Sequence, residues 1–121
     1  MRELLNIKTR ERIIEFCNKL INHDFTVQDI IKSIDMMGHI VFRILPTPKF
    51  GTLYVSTELG ILIEDILGMG TISNDEKEQA ILELVEDDME KLKALARQII
   101  LQIESDLKEA EENGYCRKLI E

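Results

Sequence analysis

Carboxylates are the first residues of this 121-residue chain whose type and spacing could do chemistry. The acidic residues that recur at helical spacing or stand side by side are Glu83, Asp87, Glu90, Glu64 and Asp65. Such a group can hold metal ions or transfer protons, but a di-iron bundle also needs a Glu-x-x-His motif. Neither His23 nor His39 lies within helical reach of these carboxylates. We therefore expect a solvated acidic face without metal, cofactor or catalytic residue.

Two further patterns could indicate phosphate binding or nucleophilic catalysis. Residues 68–73 (GMGTIS) contain a G-x-G-x-x-S fragment, but Asp75 and Glu76 follow at the start of the next predicted helix and would repel phosphate. Cys17 and Cys116 are far apart and form no CxxC motif, and no serine or cysteine is arranged with a histidine base. The sequence therefore favours a non-enzymatic protein.

Charge is distributed unevenly along the chain, whose net charge is −8. Residues 1–57 contain eight Lys or Arg and six Asp or Glu, whereas residues 58–121 contain seven and seventeen. The C-terminal half is therefore suited to a basic protein partner. Only the N-terminal half could contact nucleic acid, and its candidate contacts are Arg10, Arg12, Lys32, His39, Arg43 and Lys49.

Residues 25–45 (FTVQDIIKSIDMMGHIVFRIL) allow two structures. With Asp35 in a turn, aliphatic side chains fall where two crossed helices need them, and the segment resembles the helix-turn-helix family from about residue 27 to residue 45. That resemblance implies DNA binding through a second helix that presents His39, Phe42 and Arg43 to the major groove. Alternatively HIVFRIL is a β-strand, and PTPKFG at 46–51 turns it back along TLYVST. We favour this β-hairpin, across residues 39–57.

Helices are predicted on either side of this region. Residues 2–22 form an amphipathic helix, and Thr26 with Asp29 resembles a capping box that starts a second helix, from Val27 to about Ile34. Residues 58–67 (ELGILIEDIL) predict a short, mostly buried helix. The predicted fold is therefore α+β and mainly helical, with one domain over residues 1–121.

A long helix over about residues 75–112 is the strongest signal, because Ser73 and Glu76 form a capping box and no glycine or proline interrupts the segment. It would be about 55 Å long, whereas a domain of this size is roughly 35 Å across. The overhanging apolar stripe would then need a second chain. The expected dimerisation residues are Leu92, Leu95, Ile99, Ile103 and Leu107. Alternatively the helix breaks near residues 86–88 and folds back as an antiparallel pair.

These patterns lead to two hypotheses for function. The first is a small non-enzymatic regulatory or adaptor protein that acts as a homodimer and binds a basic protein through its acidic half. The alternative is a DNA-binding transcriptional regulator with a helix-turn-helix at about 27–45. No segment approaches the roughly 18 uncharged apolar residues that a membrane span requires, so we expect no membrane partner and a cytoplasmic location.

Overall fold

The computed structural model describes residues 5–47 and 54–112, and within these ranges the chain is helical and contains no strand. Five α-helices and one π-helical turn make up this part of the chain. In chain order they are α1 (Ile7–Ile21), α2 (Val27–Ile44), the π-helical turn (Tyr54–Glu58), α3 (Leu59–Leu67), α4 (Asn74–Asp87) and α5 (Met89–Glu112).

Side-chain caps fix where α2 and α4 begin. Thr26 Oγ1 accepts a hydrogen bond from the Asp29 backbone N–H at 3.2 Å, and Asp29 Oδ2 accepts one from the Thr26 N–H at 2.9 Å. The same reciprocal pair joins Ser73 and Glu76 at the start of α4. Each pair satisfies backbone donors that have no partner within the helix. Both predicted capping boxes are confirmed.

The end of α1 is set by a left-handed residue. His23 has φ 55°, and the Asp24 N–H reaches back to the Lys19 carbonyl at 2.8 Å while the His23 N–H bonds to the Leu20 carbonyl at 3.1 Å. These two bonds close the last turn in a Schellman motif. The chain then reverses through residues 22–26, which brings α2 back alongside α1.

Helix α2 is the centre of the described fold, because it contacts α1, the π-helical turn, α3, α4 and α5. Further contacts join α1 with α5, α3 with the π-helical turn, α3 with α4, and α4 with α5. Buried side chains from every helix join in one hydrophobic cluster. The buried stripe of α2 runs through Ile30, Ile34, Met37, Val41 and Ile44, and Ile40 next to Val41 is buried as well. Its steps of four and three residues are those of a helix, which explains why α2 continues through residue 44.

The predicted hairpin across 39–57 is wrong, and with it the α+β class. Residues 39–44 belong to α2, and residues 54–57 belong to the π-helical turn. The intervening residues 48–53 lie outside the described ranges. Burial of Ile40, Val41 and Ile44 within α2 is worth roughly 1.5–3 kcal/mol each, which exceeds both the β preference of such side chains and the ~1 kcal/mol cost of Gly38 in a helix. The helix ends at Ile44, because the residue before Pro46 is extended (φ −80°, ψ 129°).

No helix-turn-helix is formed at 27–45 either. The turn was placed at Asp35, but α2 is one uninterrupted helix from Val27 to Ile44. His39 and Arg43 are exposed on this helix. They therefore belong to the same helix as Lys32 rather than to a separate recognition helix.

The single long helix over 75–112 is also wrong, because it is divided at Asp88. Asp88 has φ −108° and ψ 14°, and its N–H bonds to the Val85 carbonyl at 3.2 Å. The two parts do not form an antiparallel pair, since α4 packs chiefly on α3 and α5 packs chiefly on α1. The break was placed correctly by the alternative prediction, but the folding back was not.

The apolar stripe of α5 is covered within the chain. Leu92 and Ile99 are 0% exposed, Leu95 and Ile103 are 2% exposed, and Leu107 is half-buried against the core. Helix α1 provides the main partner surface. The stripe therefore needs no second chain to cover it, and dimerisation through these residues stays a prediction.

Candidate functional site

Exposed apolar side chains are concentrated at α3. Within the described ranges the exposed large hydrophobic residues are Ile61 (53%), Leu67 (37%), Met69 (45%) and Leu101 (65%). Leu59, Ile63 and Ile66 lie on the buried side of α3, and Ile61 is about 200° around the helix from Leu59. The short helix is thus buried on one side only. Leu67 and Met69 extend the exposed apolar area to the end of α3 and the loop that follows.

Carboxylates stand among these apolar side chains. Glu64 and Asp65 are exposed on α3, and no ion pair between described residues involves either. We call Ile61, Glu64, Asp65, Leu67 and Met69 the α3 surface. It combines negative charge with apolar area, a composition that is complementary to a basic amphipathic segment.

Helix α4, which packs beside α3, adds further negative charge. It carries six acidic residues and one basic residue, Lys77. Lys77 Nζ donates a hydrogen bond to the Leu67 backbone carbonyl at 2.9 Å, so its charge lies at the end of α3. Glu83 accepts a hydrogen bond from Gln79 Nε2 at 3.2 Å. Among the described residues no group of three or more His, Cys, Asp or Glu side chains could hold a metal ion.

The predicted nucleic-acid contacts are only partly brought together. Arg12 and Lys32 line one groove between α1 and α2, whereas His39 and Arg43 lie further along α2. Arg10 is only 5% exposed, and its Nε has no hydrogen-bond partner among the described atoms. Lys49 lies outside the described residues. These residues therefore do not form one continuous basic face.

The groove is formed by two matching stripes. Helix α1 contributes Arg12, Glu15, Phe16 and Lys19, and α2 contributes Asp29, Lys32, Ser33 and Met36. Each set follows the spacing i, i+3, i+4, i+7, which places its members on one side of a helix. The space between them is about 340 Å³. The sequence did not reveal this site, although the two stripes have the same spacing and the turn at 22–26 places them opposite each other.

An ion-pair group closes the end of the groove nearest the turn. Lys19 Nζ lies 3.2 Å from Asp29 Oδ1 and 3.8 Å from Glu15 Oε1. The backbone N–H of Thr26 lowers the pKa of Asp29 below its ordinary value of 3.8, and the Lys19 side chain contributes in the same direction. The two carboxylates of the groove are thus engaged by Lys19 and Thr26. Arg12 and Lys32 form no ion pair within the described ranges.

Two other side chains with reactive groups, Cys17 and His23, make contacts that give them a structural role. Cys17 is fully buried, and burial raises the pKa of its thiol to about 12. It is therefore held as an unreactive thiol. His23 Nε2 lies 2.6 Å from Glu86 Oε1, and its ring stacks on Phe25 with a centroid distance of 5.4 Å. This contact joins the turn after α1 to the end of α4.

Comparison of the chain with protein-family models gave no match, and neither did searches of curated proteins and of solved structures. Among the described residues, no helix is both long and apolar enough to cross a membrane.

Proposed function

We propose that this protein is a small non-enzymatic regulatory or adaptor protein that binds a basic protein partner through the α3 surface. The observation that supports this most is the exposure of Ile61, Leu67 and Met69 beside carboxylates that form no ion pair within the described ranges. Ile61, Leu67 and Met69 lie within a span of nine residues, and clustered exposed apolar groups are typical of interaction sites.

The negative charge of residues 59–112 indicates which kind of partner the α3 surface would bind. Residues 59–112 contain fifteen acidic and five basic residues. This part of the chain repels nucleic acid, and two α3 surfaces placed face to face would repel each other. A partner segment with lysine or arginine along one side and apolar residues along the other would satisfy both components of the surface. The negative charge would speed the encounter, and the apolar contacts would hold the complex.

The homodimer expected from the sequence stays a prediction. The stripe that was expected to form its interface is covered within the chain, chiefly by α1. A cytoplasmic location also stays a prediction.

The apolar part is tested with a synthetic lysine and leucine peptide that forms an amphipathic helix, measured by isothermal titration calorimetry. The triple variant Ile61→Ser, Leu67→Ser, Met69→Ser should weaken binding about tenfold or more. The three apolar side chains would be buried against the peptide, and serine loses the free energy gained by that burial. Leu101→Ser is the matched control, since Leu101 is also exposed but lies on α5. It should bind the peptide as the unmodified protein does.

The charged part is tested with the same peptide. Glu64→Gln with Asp65→Asn should weaken binding about threefold and reduce its dependence on salt. Glu104→Gln with Glu111→Gln removes the same charge from exposed positions of α5 and should have a smaller effect. Equal weakening by both charge pairs, or unchanged binding in the triple serine variant, would contradict the proposal. A peptide of the same composition without amphipathic order should bind more weakly, and equal binding would show that only net charge matters.

A further inference from the structure

The groove between α1 and α2 lies apart from the α3 surface, and its chemistry is different. Both carboxylates of the groove form ion pairs within the protein, because Lys19 Nζ lies 3.8 Å from Glu15 Oε1 and 3.2 Å from Asp29 Oδ1. Asp29 Oδ2 also accepts the Thr26 backbone N–H at 2.9 Å. Lys19 thus contacts both carboxylates, and the five charged side chains that line the groove, Arg12, Glu15, Lys19, Asp29 and Lys32, sum to a charge of +1.

Two cations of the groove are left over. Arg12 and Lys32 stand on opposite walls and are exposed, and neither forms an ion pair with any described residue. Along the helix axes, Arg12 is about 10 Å and Lys32 about 4.5 Å from the Lys19 and Asp29 pair, at about 1.5 Å per residue. Both side chains line the same groove, one from each helix. Arginine and lysine are the usual partners of phosphate and carboxylate groups.

The rest of the lining is apolar or a neutral hydrogen-bonding group. Phe16 is 4% exposed and joins the hydrophobic core, Met36 is half-buried against it, and Ser33 offers a hydroxyl. A ligand could therefore place an anionic group between the two cations while its apolar part lies against Phe16 and Met36. The volume of about 340 Å³ is near the lower end for small-molecule pockets.

We propose that this groove binds a small organic anion, in which one phosphate or carboxylate group is attached to a compact apolar group. A nucleic acid fits less well, because only two cations of the groove form no ion pair with a described residue, and residues 59–112 carry fifteen acidic residues that repel a duplex. This site is independent of the proposed partner surface on α3.

Phenyl phosphate is the probe, and benzoate is tested beside it to distinguish phosphate from carboxylate recognition. Binding is followed by the amide chemical shifts of Arg12, Phe16, Ser33 and Met36 in ¹⁵N-labelled protein. Phenyl phosphate or benzoate should bind more tightly than inorganic phosphate, which lacks the apolar part, and than phenol, which lacks the charge.

The variant Arg12→Gln with Lys32→Gln should weaken binding of the probe at least about tenfold, because both charge-assisted hydrogen bonds are lost. Arg97→Gln with Lys108→Gln removes the same charge from exposed positions of α5 and should leave binding within about twofold, since those charges are distant and screened. Four outcomes would overturn the proposal. They are no saturable shifts, shifts outside the groove, equal weakening in both variants, and displacement of the probe by a DNA duplex that binds more tightly.

Discussion

Replacing Ile99 by alanine tests whether the apolar stripe of α5 belongs to the core of a single chain. Ile99 is 0% exposed and belongs to the hydrophobic core, and the helix that carries it, α5, packs chiefly on α1. Replacing its branched side chain by a methyl group leaves a cavity in this core, and such substitutions lower the free energy of unfolding by about 2–5 kcal/mol. A middle value of about 3 kcal/mol would lower the melting temperature of a domain of this size by roughly 10 °C.

The assay is urea-induced unfolding followed by far-ultraviolet circular dichroism, over about a hundredfold range of protein concentration. Leu101→Ala is the control, because Leu101 is two residues away on the same helix but 65% exposed. It should change the free energy of unfolding by no more than about 0.5 kcal/mol. Burial within one chain predicts a large loss for Ile99→Ala with a midpoint that does not depend on concentration. A urea midpoint that rises with protein concentration, together with a loss of dimer in the variant, would show that the stripe forms a dimer interface.

Three further outcomes are expected. The Thr26 backbone N–H lowers the pKa of Asp29 in the folded protein, so the carboxylate form of Asp29 stabilises the folded state. This stabilisation is fully present above pH 3.8, the ordinary pKa, and is lost as the pH falls from 3.8 through the lower pKa of the folded state. Acid titrations of unfolding free energy should therefore be steeper below pH 3.8 for the unmodified protein than for Asp29→Asn, and equal slopes would contradict this. Because the pKa of Cys17 is raised to about 12, its thiol should resist alkylation at neutral pH in a Cys116→Ser variant and react once urea unfolds the chain; fast alkylation of the folded protein would contradict its burial. In gel-shift titrations at near-physiological salt, duplex DNA should bind no more tightly than the non-specific level of about 10⁻⁴–10⁻⁶ M, whereas a tighter sequence-specific complex lost on Arg43→Ala would support the DNA-binding alternative.

Sequence patterns predicted the features that depend on residues close together in the chain. Each capping box uses two residues three positions apart, so Thr26 with Asp29 and Ser73 with Glu76 could be recognised before any tertiary contact was known. The end of the first helix, predicted at residue 22, lies one residue from the last residue of α1, Ile21. The hydrogen bonds of these segments join residues no more than five positions apart, so their pattern can be recognised in the sequence.

The hairpin was mispredicted because local preference and burial pointed in different directions. HIVFRI is rich in β-branched side chains, but Val41 and Ile44 continue the three- and four-residue steps that begin at Ile30. Helix α2 contacts every other helical element of the described chain, so burial of this stripe outweighs the strand preference. Following the period from the start of α2 would have extended the helix to Ile44.

The partners of the C-terminal stripe could not be predicted from its pattern. An apolar stripe shows that a helix is covered but does not show by what, and α5 is covered by α1, more than sixty residues earlier in the chain. The candidate sites were missed for a related reason. The exposure of Ile61 depends on which side of α3 faces the core, and the placement of Arg12 and Lys32 along one groove depends on the packing of α1 against α2.

The most direct test of the proposed function is a map of where a basic amphipathic peptide contacts the protein. The lysine and leucine peptide is titrated into ¹⁵N-labelled protein, and the amide chemical shifts are followed residue by residue. Our proposal predicts saturable shifts concentrated at residues 61–69, with smaller changes along the acidic residues of α4 and none in the groove between α1 and α2. Shifts centred on α5 around Leu101, or spread evenly over all exposed carboxylates, would contradict the assignment of the α3 surface as the partner site.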